Sequence, residues 1–110
     1  MALPKAYNGG ITMTINKTAA GEKLTLALSG RLDTNTSPRL EAELKQSVSG
    51  VKELIFDFSE VEYISSAGLR VLLAAQKVMN RQGSMKLVGV SAEVMEVFEI
   101  TGFSDILTIE

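Results

Sequence analysis

Ile11, Met13 and Ile15 alternate with Thr12, Thr14 and Asn16. Leu24, Leu26 and Leu28 then alternate with Thr25, Ala27 and Ser29. A period of two marks a strand with one buried face. Ala20-Gly21-Glu22 separates the two runs as a turn, so they predict an antiparallel hairpin. The period then lengthens. Leu40, Leu44 and Val48 form an apolar stripe at helical spacing after Ser37-Pro38, where serine suits the cap and proline the first helical position. Arg39/Glu43 and Glu41/Lys45 are spaced as i,i+4 ion pairs on the wet side, and Gly50 suits the helix end. Leu54-Ile55-Phe56-Asp57-Phe58 is apolar except for Asp57 and predicts a central strand covered on both faces. Ser59 to Ser65 is expected to be a short loop.

A second helix is predicted from about Ser66 to Gln82, closed by Gly83. Leu69, Leu72, Leu73 and Met79 form its core stripe. Val71, Ala75 and Val78 form a neighbouring stripe that suits either burial or a docking face. Met85 to Val88 is a short strand candidate. Ser91 caps a third helix with Val94, Val97 and Phe98 inward and Gly102 just past its end. Ile106 to Ile109 is a last, weak strand. Alternation of strand and helix after the hairpin demands parallel pairing with crossover helices. The expected class is α/β: a mixed, mostly parallel sheet of about five strands, opened by a β-hairpin, with α-helices packed on it. Residues 1–10, broken by Pro4, Asn8, Gly9 and Gly10, read as a flexible lead-in, and residues 11–110 as one domain.

Composition narrows the chemistry. The chain of 110 residues is long enough for a core of its own, and 45% hydrophobic content fits a globular domain. It has no cysteine, which removes disulfides, thiolate metal sites and cysteine nucleophiles. It has no histidine, which removes the commonest general base and metal ligand. A net charge of −2 offers no basic excess for nucleic acid. No apolar run approaches the roughly 20 residues of a membrane span, and Met1-Ala2-Leu3-Pro4-Lys5 lacks a signal peptide's apolar stretch. A cytoplasmic protein without cofactor or metal is expected.

The most informative segment is Tyr63-Ile64-Ser65-Ser66-Ala67-Gly68-Leu69-Arg70. It places serine hydroxyls where free N–H groups and the positive end of a helix dipole meet. Ser66 reads either as a plain helix cap or as an acceptor whose phosphate this terminus tolerates. Gly68 forgoes helix propensity in the first turn, which suits close approach of another backbone or a bulky partner. Asp33, beside Thr34 and Thr36, and Asp57 are the carboxylates expected near this loop, each also suited to capping a turn. Two acids without a third ligand make a weak metal site.

Phe56-Asp57-Phe58-Ser59-Glu60-Val61-Glu62-Tyr63-Ile64-Ser65-Ser66-Ala67-Gly68-Leu69 resembles the signature of the STAS family, the sulfate-transporter and anti-sigma-factor-antagonist domains. Gly30-Arg31-Leu32-Asp33, the Gly83–Gly89 stretch and Val97-Phe98-Glu99-Ile100-Thr101-Gly102-Phe103 fit the rest of that pattern, over about residues 11–109. The resemblance implies a non-enzymatic anti-sigma factor antagonist that works by partner switching. Its partners would be an anti-sigma factor serine kinase, bound when the acceptor serine is free, and a serine phosphatase that resets it. The acceptor position falls on Ser66, with Ser65 as the alternative. The implied partner surface comprises Asp33, Thr34, Ser65, Ser66, Ala67, Gly68 and Arg70. One departure stands out: family members of this type carry aspartate before the acceptor and serine or threonine after it, where this chain has Ser65 and Ala67.

Other readings compete. A STAS module docked constitutively in a larger regulatory or transport assembly needs no phosphate. A nucleotide-binding regulator lacks the Gly-x-x-x-x-Gly-Lys cradle here. A hydrolase would need a lysine base for its serine, and none lies close to Ser66 in sequence.

Overall fold

The computed structural model describes residues 13–110. The expected lead-in and the start of the first strand, Ile11 and Thr12, lie outside the described residues. Strand β1 (Met13–Ala20) turns at Gly21-Glu22 into β2 (Lys23–Leu32). Helix α1 (Ser37–Ser47) leads to β3 (Glu53–Ile64), and α2 (Ser66–Gln82) leads to β4 (Ser84–Val88). Helix α3 (Ala92–Thr101) and a 3-10 turn (Phe103–Asp105) follow. The sheet order is β1-β2-β3-β4, antiparallel at the hairpin and parallel at both later pairings.

Register explains the layering. Leu24 aligns with Leu54 and Met85, and Leu26 with Phe56 and Leu87. Aligned residues share a face. That face is the core, where these side chains join Leu40, Leu44, Leu72, Met79 and Phe98 from the helices. Phe58 meets Phe98 of α3 at 6.2 Å between ring centroids. The opposite face carries Asn16, Thr18, Thr25, Asp57 and Lys86. The sheet is therefore apolar on the helix side and largely polar on the other. The expectation of a central strand covered on both faces gives way to this, although Ile55 is also buried.

The hairpin, the three helices and the fourth strand stand as expected. The segment Ser59–Ser65 does not. It extends β3 to Ile64, pairing with Ser29–Leu32 across two register shifts. Extra residues at a bulge break strict alternation. Here Ser59, Glu60, Glu62 and Tyr63 are exposed while Val61 and Ile64 are buried. The last weak strand reduces to one bridge, Leu87 to Ile109, held by Leu87 N–H to Thr108 O (2.8 Å) and Glu110 N–H to Leu87 O (2.9 Å).

The expected ion pairs of α1 are replaced by tertiary ones. Glu43 pairs with Lys17 of β1 at 3.0 Å, and Arg39 donates to the Met13 carbonyl at 2.7 Å. Anchoring α1 to the hairpin competes successfully with a pair worth only a few tenths of a kcal/mol on the helix surface.

Candidate functional site

The serine-bearing terminus of α2 is assembled by β2 and β3 ending side by side. Leu32 aligns with Ile64, and the Ser65 N–H donates to the Leu32 carbonyl at 2.9 Å. The chain then turns into α2 with Ser65 at the cap position in extended conformation and Ser66 as the first helical residue. The sequence reading of Ser66 as the cap thus moves by one. Ser65 holds the position yet does not use it: its hydroxyl is buried and has no hydrogen-bond partner among the described residues. Ser66 is exposed. The first N–H groups of α2 therefore have no side-chain cap.

Gly68 explains how the helix sits so close. A β-carbon there would lie 2.8 Å from both Leu32 Cγ and Ile64 Cγ1 and 3.0 Å from the Leu32 carbonyl. The residue is buried, so its missing side chain serves packing beneath the surface. Ala67 is half-buried, and Arg70, one turn beyond Ser66, is exposed.

Asp33 starts the neighbouring turn. Its Oδ1 accepts from the N–H groups of Asn35 (3.0 Å) and Thr36 (3.1 Å) and from the Thr36 hydroxyl (3.2 Å). Its Oδ2 lies 3.6 Å from Arg31 Nε. Burial opposes ionisation, but the N–H groups of Thr36 and Asn35, the Thr36 hydroxyl and the Arg31 charge together hold this carboxyl below its ordinary value. Thr36 is buried, accepting from the Asp33 N–H (2.9 Å), and its single hydroxyl proton is shared between the Arg31 carbonyl (2.7 Å) and Asp33 Oδ1. This lock makes Thr36 the residue before α1 and puts Ser37 inside the helix, buried, with its hydroxyl unpaired among the described residues. Ser37 was expected to cap and Pro38 to open the helix; each sits one position further in, Ser37 first and Pro38 second in α1.

A pocket of about 280 Å³ lies between this turn and α2, lined by Thr34, Ser37, Glu41, Ala67, Arg70 and Val71, among others. Asp33–Thr34 and the start of α2 are thus brought together, as the sequence suggested. Asp57 is not. It lies seven residues upstream of Ile64 on β3, roughly 20 Å along an extended strand, with its Oδ1 taken by the Ser59 hydroxyl (2.7 Å) and N–H (2.9 Å). Those two bonds outweigh burial and hold its pKa below the ordinary value.

Arg31 and Tyr63 were missed by sequence reasoning. They are register partners, and the Arg31 guanidinium stacks 4.2 Å from the centre of the Tyr63 ring, which is 40% exposed. Only the shifted register brings them together, and the sequence carries no signal for it. Among the described residues there is no cluster of acids that could hold a metal, and no helix is long and apolar enough to cross a membrane.

With this geometry in hand, the comparisons with known proteins become specific. The STAS domain model matches residues 12–110. The chain belongs to the STAS domain family. Two relatives show where in the STAS family its resemblance lies. The Bordetella bronchiseptica protein BtrV, named provisionally as an anti-sigma factor antagonist, is 40% identical over 88 residues, covering 78% of this chain and 76% of BtrV. The anti-sigma-B factor antagonist of Listeria monocytogenes is 37% identical over 93 residues, covering 81% and 80%. Among solved STAS-type structures, an anti-sigma factor antagonist from Mycobacterium paratuberculosis superposes with a TM-score of 0.81 at 22% identity, covering 89% of this chain and 85% of that one. SpoIIAA, an anti-sigma factor antagonist solved in unphosphorylated and phosphorylated forms, superposes at 0.71 and 0.70, each at 18% identity. These matches cover 88% of this chain and 87% and 91% of the two SpoIIAA chains.

Proposed function

We propose that this protein is an anti-sigma factor antagonist whose association with an anti-sigma factor serine kinase is switched by phosphorylation of Ser66. The observation that carries this reading is the position of Ser66: exposed, first in α2, beside the Asp33–Thr34 turn, at a terminus with no side-chain cap. The names of the relatives above support the antagonist role, and SpoIIAA supplies the precedent of a phosphorylated form. Ser65, the alternative acceptor, keeps its hydroxyl buried, which favours Ser66.

In the transfer step the Ser66 oxygen attacks the γ-phosphorus of ATP, the bond to the ADP oxygen breaks, and the serine proton passes to a base of the kinase. The chain is substrate in this step and catalyses nothing. A serine phosphatase hydrolyses the ester and restores the hydroxyl. The phosphate adds about −1.5 to −2 charges near neutral pH. Open N–H groups and the helix dipole favour an anion here by about 0.3–1 kcal/mol, so the fold survives it. Arg70, at i+4, shares the helix face with Ser66 and is placed to pair with the phosphate. A kinase interface built around a neutral hydroxyl must instead desolvate a dianion. A thousandfold loss of affinity needs only about 4 kcal/mol. The proposed contact surface is Asp33, Thr34, Ser65, Ser66, Ala67 and Arg70, with Gly68 as the packing support below. Such partners place the protein in the cytoplasm.

The test combines a transfer assay with binding. Incubation with the anti-sigma factor and ATP should phosphorylate Ser66, mapped by mass spectrometry. In calorimetry Ser66→Ala should bind the anti-sigma factor like wild type, and Ser66→Asp about a thousandfold more weakly. Equal binding of both variants would overturn the charge switch.

A second reading has its own support. The residue before Ser66 is an uncharged serine with a buried hydroxyl, so no acid flanks the acceptor in sequence for a kinase to use. On that reading the same surface docks constitutively in a larger regulatory or transport assembly. Absence of phosphate after incubation, with undiminished binding, would select it.

A further inference from the structure

Sequence periodicity left the stripe Val71, Ala75 and Val78 of α2 suited to either burial or docking. The structure splits it. Val71 and Ala75 are buried, while Val78 is 39% exposed and Ala74 beside it is exposed. Together with Leu44 of α1 and Val48 just past its end they line a groove of about 140 Å³ between the two helices. The groove meets the pocket beside Ser66, since Glu41 and Val71 line both. Past the end of α1, the Gln82 amide of α2 donates to the Val48 and Val51 carbonyls at 2.7 Å each.

The α2 flank of this groove is charged in one sense, whereas the α1 side carries one charge of each sign, Glu41 and Lys45. Helix α2 contains no aspartate or glutamate, in a chain whose net charge is −2. Arg70, Ala74, Lys77 and Arg81 fall on one row at i, i+4, i+7 and i+11, next to the groove stripe. Arg70, Lys77 and Arg81 are exposed, and among the described residues none of them belongs to an ion pair. The row spans roughly 16 Å, about three helical turns.

We infer that the α1/α2 groove receives an amphipathic helix of the partner protein, apolar on the face that enters the groove and acidic on the flank that meets Arg70, Lys77 and Arg81. The inference rests on the reading of the Ser66 end as a partner surface and extends that surface along α2. It does not depend on phosphorylation. Charge selects the occupant. A second copy of this chain offering its own α2 would bring an identical cationic row against this one. The chain's own first twelve residues hold one lysine and no acid, so they offer nothing to the row. A helix with acidic flanks satisfies both the carbon-lined floor and the unpaired cations.

The test uses two synthetic helical peptides of about four turns, identical in their leucine face, one flanked by glutamate and the other by lysine. Each is titrated into the full-length, isotopically labelled protein and followed by amide shifts. The glutamate peptide should perturb Val48, Ala74 and Val78 and bind about tenfold tighter than its lysine twin at low salt. The double variant Lys77→Glu with Arg81→Glu, both at exposed positions, should abolish or reverse that preference without altering the spectrum elsewhere. Equal binding of the two peptides, or shifts confined to other surfaces such as the exposed Ile100 on α3, would overturn the inference. So would salt-sensitive binding of phosphatidylglycerol vesicles together with indifference to the glutamate peptide, since that would make the row a lipid contact. Phosphorylation of Ser66 by the anti-sigma factor is a separate readout, so failure of the groove and failure of the switch remain distinguishable.

Discussion

Helices α2 and α3 both begin after a serine in extended conformation, Ser65 in one and Ser91 in the other. Their termini differ. The Ser91 hydroxyl accepts the Val94 N–H at 3.2 Å, and Glu93 in the first turn answers the dipole. The Ser65 hydroxyl is buried with no partner among the described residues, the first turn of α2 holds no acid, and the next serine stands in solvent. At α3 the chain satisfies its own helix end. At α2 it leaves the N–H groups and the positive pole for something else. An identical residue type at an identical position thus closes one terminus and leaves the other receptive, and burial of the side chain decides which.

The contrast can be broken most forcefully at Gly68. Gly68→Ala should destabilise the fold by about 1–3 kcal/mol in urea titrations, because its β-carbon meets Leu32 and Ile64 at 2.8 Å. Unchanged stability would mean that the α2 terminus is not seated on β2 and β3. Next comes Asp33. Removing its acceptors in Asp33→Ala should cost about 1–2 kcal/mol, and Asp33→Asn less, since an amide oxygen still accepts from Asn35 and Thr36. The carboxyl's folded pKa is lowered from 3.8, so its extra stabilisation is present above that value and lost as pH falls through the lower folded one. The stability gap between wild type and Asp33→Asn should therefore close in acid, below about pH 4. A gap that widened in acid would contradict the hydrogen-bonded carboxylate.

The two caps come last. Ser91→Ala should cost about 1 kcal/mol, the usual value of a working cap. Ser65→Ala should change stability by less than about 0.5 kcal/mol, since no hydrogen bond is lost. If the two serines cost the same, the difference between the termini would disappear.

Much of this was legible in the sequence for one physical reason: periodicity survives wherever one face is buried uniformly. The hairpin, α1, α2, α3 and the Ser91 cap follow from it. The second half of β3 was not legible, because two register shifts against β2 destroy the alternation from Ser59 to Ile64. The cap of α1 moved from Ser37 to Thr36 because Thr36 is locked to Asp33 and Arg31, a contact between side chain and turn that spacing does not encode. Glu43 and Arg39 chose partners on β1 for the same kind of reason. At the candidate site, Ser66, Asp33 and their neighbours were proposed from their local motif, and the structure supplies their geometry. The Arg31–Tyr63 stack and the open row of cations on α2 needed coordinates.

The opposite end of α2 carries a further consequence. A β-carbon on Gly83 would fall 2.0 Å from the Lys52 carbonyl oxygen, so the backbones touch there. Ser84 N–H donates to that same carbonyl at 2.9 Å, while the N–H groups of Lys52 and Glu53 both reach the Glu22 carbonyl. Three separate crossings of the chain are thus riveted at one pole, remote from Ser66. With its rear clamped this way, the helix would have little freedom to slide or swing under the proposed phosphorylation of Ser66. News of the modification would travel as an altered surface for a visitor to meet, not as a movement of the domain.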